Sequence, residues 1–212
     1  MSPELHISLS NLQSNIQFFQ RIIKKNTELS AVVKSDAYGL GIAKIVPEIE
    51  RYGVRSFFTA TISEAIKVRS YSRDSEIFTL NGFDFLKSNL YREHNITPII
   101  NNILEAQKFI EIFNQTQKVA IQLNTGMNRL GLDKQSLLEN IDIIKSLPLN
   151  LILSHLACAD DTSNKENTAQ KDLFIKLCQI LPNIRQSLSA SHGTLLGNDF
   201  HFDMVRPGIG LY

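Results

Sequence analysis

Residues 56–80 read SFFTATISEAIKVRSYSRDSEIFTL. The apolar run Ser56–Ala60, rich in aromatic residues, has the length and composition of a buried strand. Residues 62–70 have a helical pattern, and Glu76–Leu80 is a second strand-like run. This is one strand–helix–strand unit, and the rest of the chain repeats it. Strand-like runs recur at Leu29–Lys34, Ile96–Ile100, Lys118–Leu123, Leu149–His155, Gln186–Ser191 and Met204–Tyr212. Helical runs fall between them at 42–52, 83–93, 103–115, 134–146 and 165–181. The link between the last two strands is too short for a full helix. Ahead of the first strand, Leu9, Leu12, Ile16, Phe19 and Ile23 recur at spacings of three and four. They mark an amphipathic helix over 8–25, with Ser8 and Ser10 as candidate caps.

About eight strands alternating with helices predict βαβ units and a parallel sheet. An open doubly wound sheet and a closed barrel both satisfy that alternation. Two details favour the α/β class with a (β/α)8 TIM-type barrel. Polar residues follow most of the strands, where barrel sites lie. No GxGxxG turn follows the first strand, which removes the main support for dinucleotide binding. With no repeat or linker, residues 1–212 read as one barrel domain. The sequence stops at Leu211-Tyr212 inside the last apolar run, so the expectation is a barrel cut short before its final outer helix, or one completed from elsewhere.

The 212 residues are 43% hydrophobic and 20% charged, which is a globular composition. A formal charge of +1 offers no electrostatic reason to seek nucleic acid or an anionic membrane. No apolar stretch has the length of a membrane span. The start, MSPELHISLS, lacks the pattern of a signal peptide. Cys158 and Cys178 are too few for a disulfide scaffold or a zinc cluster and suit reduced thiols in a cytoplasmic protein. His192, His201 and Asp203 fit no zinc template, so no metal is expected. Asp160 and Asp161 read as a polar loop.

The stretch AVVKSDAYGLG, Ala31–Gly41, carries the chemistry. Lys34 ends a buried strand ahead of a glycine-flanked loop. On spacing alone the plain reading is a strand-end lysine with its stem along the strand and its amine in water. At the mouth of a barrel, partial desolvation would instead make it a competent Schiff-base amine. Tyr38, four residues on, could reach a phosphate or an aldehyde oxygen. This stretch resembles the cofactor-lysine signature of the alanine racemase family. NTGMNRLG at 124–131, SHLACAD at 154–160 and VRPGIGLY at 205–212 resemble three further family segments in the same order.

The resemblance implies a pyridoxal phosphate-binding barrel that interconverts L- and D-alanine for cell-wall precursors. Lys34 would be the Schiff-base lysine and one of two proton-transfer bases. Arg129 would hold the substrate carboxylate and the cofactor's phenolic oxygen, as its planar fork suits. Arg206 would face the pyridine nitrogen, with His155 contacting it. Tyr38, Ser191 and the backbone of Gly208 and Ile209 would hold the phosphate. Ala190 replaces the family's usual asparagine before Ser191. Gln122 stands where many members carry a carbamylated lysine, and Asn124 replaces a usual aspartate. Carbamylation is therefore not expected, and Gln122 is predicted to hold Arg129 through its carbonyl oxygen.

The family's second base is a tyrosine of a C-terminal β-domain, supplied by the partner subunit of a homodimer. That domain would begin after Tyr212, which predicts a barrel without its second base. Two other readings follow: a non-catalytic or remnant pyridoxal phosphate-binding barrel, or one half of a split racemase completed by a separate C-terminal chain. Serine, lysine and arginine racemases share the barrel, so alanine is the commonest case and not the sole one.

Overall fold

The computed structural model describes residues 4–212. Ser8 caps helix α1 (Leu9–Ile22) by accepting the Asn11 N–H at 3.3 Å, and the helix buries Leu12, Ile16 and Phe19. Strand β1 is in two pieces, Glu28–Leu29 and Ala31–Val32. Then come α2 (Ile42–Arg51), β2 (Ser56–Thr59), α3 (Ile62–Tyr71), β3 (Glu76–Thr79), α4 (Ser88–Glu93), β4 (Thr97–Ile100), α5 (Ile103–Phe113) and β5 (Val119–Gln122). The second half holds α6 (Lys134–Glu139), α7 (Ile141–Lys145), β6 (Leu149–Leu153), α8 (Lys165–Cys178), β7 (Arg185–Ser187), α9 (Ser191–Leu195) and β8 (Met204–Val205).

The strands are parallel neighbours in chain order from β1 to β7, and β8 pairs with β1 in the register Glu28↔Met204. Backbone bonds from Arg206 N–H to Ser189 O (2.8 Å) and from Asp203 N–H to Gln186 O (3.1 Å) join the β7 and β8 segments. The expected (β/α)8 barrel is therefore closed. Side chains alternate across it, as the period of two requires. Val32, Phe58, Phe78, Ile99, Leu151 and Met204 fill the interior. Phe57, Ile77, Ile100, Ile121 and Ile152 point out to the helices. Phe58 and Phe78 stack with centroids 4.7 Å apart, and burying each such side chain contributes roughly 1.5–3 kcal/mol. The N-terminal end is closed by the first residues of four strands. Arg185 bridges Glu28 (3.2 Å) and Glu76 (2.7 Å), and Ser56 donates to Glu28.

Several boundaries depart from the sequence reading. Strand β8 does not run to Tyr212. It stops at Val205, because Pro207 has no N–H to continue a ladder, and a 3-10 turn covers Ile209–Leu211. Strand β7 ends at Ser187, and Ser191 opens the short helix α9 inside the link expected to hold no full helix. The run 83–93 begins as a 3-10 turn, Phe85–Lys87, and 134–146 breaks at Asn140. Among the described residues no helix is long and apolar enough to cross a membrane.

Candidate active site

Lys34 does not end a strand. It opens a turn in which Ser35, Asp36, Ala37 and Tyr38 have φ of +53°, +55°, +55° and +56°. Four successive L-residues in this left-handed conformation cost about 1–2 kcal/mol each. The surroundings hold them there. Val33 N–H donates to Phe58 O (2.8 Å), Ala37 N–H to Val33 O (2.9 Å) and Gly39 N–H to Ser35 O (2.8 Å). Asp36 Oδ1 accepts the Ile42 N–H at 3.0 Å, and Ala37 is fully buried. Gly39 and Gly41, with φ of +88° and +91°, carry the chain out of the turn.

Lys34 lines a cleft of about 370 Å³ at the C-terminal ends of the strands, with Arg129, His155 and Arg206. No carboxylate lines it among the described residues, and no metal-ligating cluster occurs there. A cleft with three basic side chains and no acid is built for an anionic guest.

Arg206 follows β8 and is 3% exposed. Its Nη1 donates to Ser187 Oγ, its Nη2 to the Ser154 carbonyl at 2.6 Å, and its guanidinium lies 5.8 Å from the Phe58 ring centroid. Burial lowers its pKa to about 9, so it stays charged at neutral pH. His155 shares the cleft and feels the charge of Arg206, while the hydrogen bonds of the Arg206 fork go to the two serines. Burial, then the charges of Arg206, Arg129 and Lys34, push the His155 pKa down to about 3, which leaves the ring neutral.

Arg129 is exposed and has no salt-bridge partner among the described residues. Its loop is pinned by Asn124, whose Oδ1 accepts the N–H groups of Gly126 (3.1 Å) and Asn128 (3.0 Å). Gly131 is required there, since a Cβ would stand 2.8 Å from Gln122 O. Gln122 lines the cleft, but its amide donates to Leu130 O at 3.4 Å and does not hold Arg129. From α8, Gln170 ties the loops after β5 and β6 by donating to Thr125 Oγ1 (3.3 Å) and His155 O (3.1 Å).

The other expected residues gather beside this cleft. Ser191 Oγ accepts both Gly208 N–H and Gly210 N–H at 3.0 Å. That uses both lone pairs and leaves the hydroxyl hydrogen to donate elsewhere. Gly208 lies against Tyr38, because a Cβ there would collide with the phenol oxygen. Tyr38 packs on Tyr212 at 5.2 Å, and Tyr212 Oη donates to Val32 O at 3.0 Å. Burial raises the pKa of both phenols, that of Tyr212 with help from Tyr38. The Ile209 side chain is exposed.

Phe58, Ser154 and Ser187, which seat Arg206, lie in runs the sequence marks but carry no site role there, and the same holds for Glu64; Asn81 is not marked at all. Asn81 lines the cleft directly after the run ending at Leu80, and a polar residue at a barrel strand's C-terminal end was the available signal. Ser154 stands in the segment 154–160 beside His155, but nothing local shows that either serine meets Arg206, which is distant in sequence.

The family model described as "Alanine racemase, N-terminal domain" matches residues 7–212. Alanine racemase of Rickettsia akari is 35% identical over 215 residues, covering 98% of this chain and 60% of that protein. The Rickettsia canadensis enzyme is 37% identical with the same coverage. The solved alanine racemase of Bartonella henselae, with covalently bound pyridoxal phosphate, superposes with a TM-score of 0.91 at 36% identity. That match covers 97% of this chain and 62% of that one. The biosynthetic enzyme of Pseudomonas aeruginosa gives 0.87 at 28% identity, covering 96% and 57%. The chain thus spans about 60% of the length of the curated relatives it matches. A closed barrel, a cleft holding Lys34, Arg129 and Arg206, and a family match over residues 7–212 place this chain in the alanine racemase N-terminal domain family.

Proposed function

We propose that residues 1–212 form the cofactor-holding barrel domain of an alanine racemase that uses pyridoxal phosphate to interconvert L- and D-alanine. The observation that carries this is a cleft where Lys34, Arg129 and Arg206 meet and, among the described residues, no carboxylate lines the wall. Those residues fit an anionic aldehyde cofactor together with an amino acid. When bound, pyridoxal phosphate supplies an electron-withdrawing ring that lets the Cα hydrogen of an amino acid leave as a proton.

Lys34 Nζ would condense with the aldehyde carbon, its oxygen leaving as water, and, once the substrate amine displaces it, would remove and return the Cα proton on its own face. Arg129, unpaired among the described residues, has its planar fork available for the substrate carboxylate. Arg206 keeps its proton at neutral pH, so it would face a bound ring as a fixed cation with no proton to give the ring nitrogen, and would favour proton return at Cα over transamination. His155, being neutral, adds no fourth positive charge. The free hydroxyl hydrogen of Ser191, the Tyr38 phenol and the Ile209 N–H would hold the phosphate, the Gly208 N–H expected there being taken up by Ser191 Oγ.

The resemblance extends this reading to a homodimer in the cytoplasm supplying D-alanine to peptidoglycan. There the opposite face of Cα is served by a tyrosine of a further β-domain in the partner subunit. The test uses the 212-residue chain with pyridoxal phosphate and each alanine enantiomer in deuterated water. Proton NMR should show Cα exchange of one enantiomer, and chiral separation should show little of the other. A general base contributes about 10²–10⁴-fold, so full-speed racemisation would place the second base within the barrel. Cofactor attached at Lys34 with exchange of neither enantiomer would favour a non-catalytic barrel.

A further inference from the structure

Glu64 stands in the first turn of α3, three residues after Thr61, whose Oγ1 accepts the Glu64 N–H at 3.3 Å. Thr61-x-x-Glu64 has the spacing of a capping box, in which the glutamate returns to the cap residue's own amide. Here it does not. Oε2 accepts the Ala60 N–H at 2.8 Å, and Oε1 accepts the Ser35 N–H at 2.9 Å. Ser35 directly follows Lys34 and is the first residue of the left-handed turn. Ser35 and Ala60 both line the cleft with Lys34. One carboxylate therefore spans from the start of α3 to the loop after β1.

A second glutamate repeats the device away from the lysine. Glu105, in the first turn of α5, accepts the Asn101 N–H at 2.9 Å and the Phe83 N–H at 3.2 Å, the latter from the loop after β3. Each glutamate ties the start of its helix to the neighbouring βα loop. In the case of Glu64, that loop carries Lys34.

We propose that Glu64 is a positioning residue for Lys34: its carboxylate holds the Ser35 amide and thereby the strained turn that aims the lysine into the cleft. The proposal rests on reading Lys34 as the cofactor lysine. Four left-handed L-residues will not keep their conformation without outside restraint. A hydrogen bond to a carboxylate is among the stronger restraints a backbone amide can have. Without it the turn relaxes, and the amine drifts from the line of attack on the aldehyde, where small misplacements cost rate steeply.

The test measures the rate at which pyridoxal phosphate is fixed to Lys34, by borohydride trapping and peptide mapping of the 212-residue chain. Alongside it goes the affinity for pyridoxine phosphate, which has no aldehyde and reports binding alone. Glu64→Ala should slow attachment about tenfold, the loss of one charge-assisted hydrogen bond, and leave pyridoxine phosphate affinity unchanged. Glu64→Gln keeps one acceptor oxygen and should fall between. Glu105→Ala should lower thermal stability and leave attachment untouched. Wild-type attachment in Glu64→Ala would overturn the proposal. So would equal losses in attachment and in pyridoxine phosphate affinity, or the same slowing in Glu105→Ala. Should Glu64→Ala not fold, Glu64→Gln and Glu64→Asp decide on the same two measurements. Trapping at another lysine in the unaltered chain would instead overturn the reading of Lys34.

Discussion

Arg206 Nη2 and the carbonyl oxygen of Ser154 meet at 2.6 Å, joining the residue after β8 to the residue after β6. A buried cation is thereby fixed at the cleft with two serines and an aromatic face around it and, among the described residues, no carboxylate partner.

Such an arrangement is costly to the fold, since burial alone lowers the arginine's pKa to about 9. Arg206→Met fills similar volume without a charge. The substitution removes that cost but leaves the buried Ser154 carbonyl without its hydrogen bond, and a stranded buried acceptor costs about 1–3 kcal/mol. The unfolding free energy should therefore fall by roughly 1–3 kcal/mol, and pyridoxal phosphate binding should weaken. Urea unfolding checks this. A higher midpoint would mean that the desolvation of the charge outweighs its hydrogen bonds and the Phe58 contact.

His155 gives stability a pH dependence of defined sign. Its folded pKa of about 3 lies below its ordinary value of 6.5. The unfolded chain therefore binds a proton in that interval that the folded chain refuses, and stability falls as pH drops below about 6.5. Between pH 6.5 and 4.5 the protein should lose about 2 kcal/mol more than its His155→Gln variant. Urea titrations at both pH values supply the comparison. Parallel losses would show that His155 takes up its proton normally.

Lys34 should be the lysine that fixes the cofactor. Borohydride reduction of the protein mixed with pyridoxal phosphate should label the peptide containing Lys34, and Lys34→Ala should abolish that label. Weak binding of inorganic phosphate should survive in the variant, because Tyr38 and Ser191 remain. Mass spectrometry of the digest reads the first result and calorimetry the second.

Gly208 and Tyr38 should be energetically coupled. A Cβ at 208 meets the phenol oxygen and stands 3.0 Å from the ring carbon that bears it. Gly208→Ala should cost about 1–3 kcal/mol by overpacking, and much less in a Tyr38→Ala background. A double-mutant cycle measures the difference. Additive effects would mean that the two residues do not press on each other.

The alternation of strands and helices was legible in the sequence, because a strand buried between barrel interior and helix layer must be apolar along its whole length. Phe57 and Phe58 show it: adjacent, both fully buried, and facing opposite layers. Lys34, Arg129, His155 and Arg206 were legible as residues through the motifs around them, and the structure gathers those four into one cleft. The end of β8 was also written locally, in Pro207, though the apolar run around it suggested a longer strand.

What the sequence left undecided is where polar groups find their partners. The neighbours of Lys34 do not announce four left-handed residues: of Ser35, Asp36, Ala37 and Tyr38 only Asp36 is of a type that tolerates the conformation, and even aspartate adopts it as single residues. It persists because Phe58, Glu64 and Ile42 supply hydrogen bonds from other elements. Gln122 turns its amide to Leu130 and not to Arg129, and the hydrogen bonds of Arg206 go to Ser154 and Ser187. Hydrophobic burial is set by periodicity along the chain and can be read there. A hydrogen bond depends on distance and angle between groups that only barrel closure brings together, such as Arg206 and Ser154, 52 residues apart.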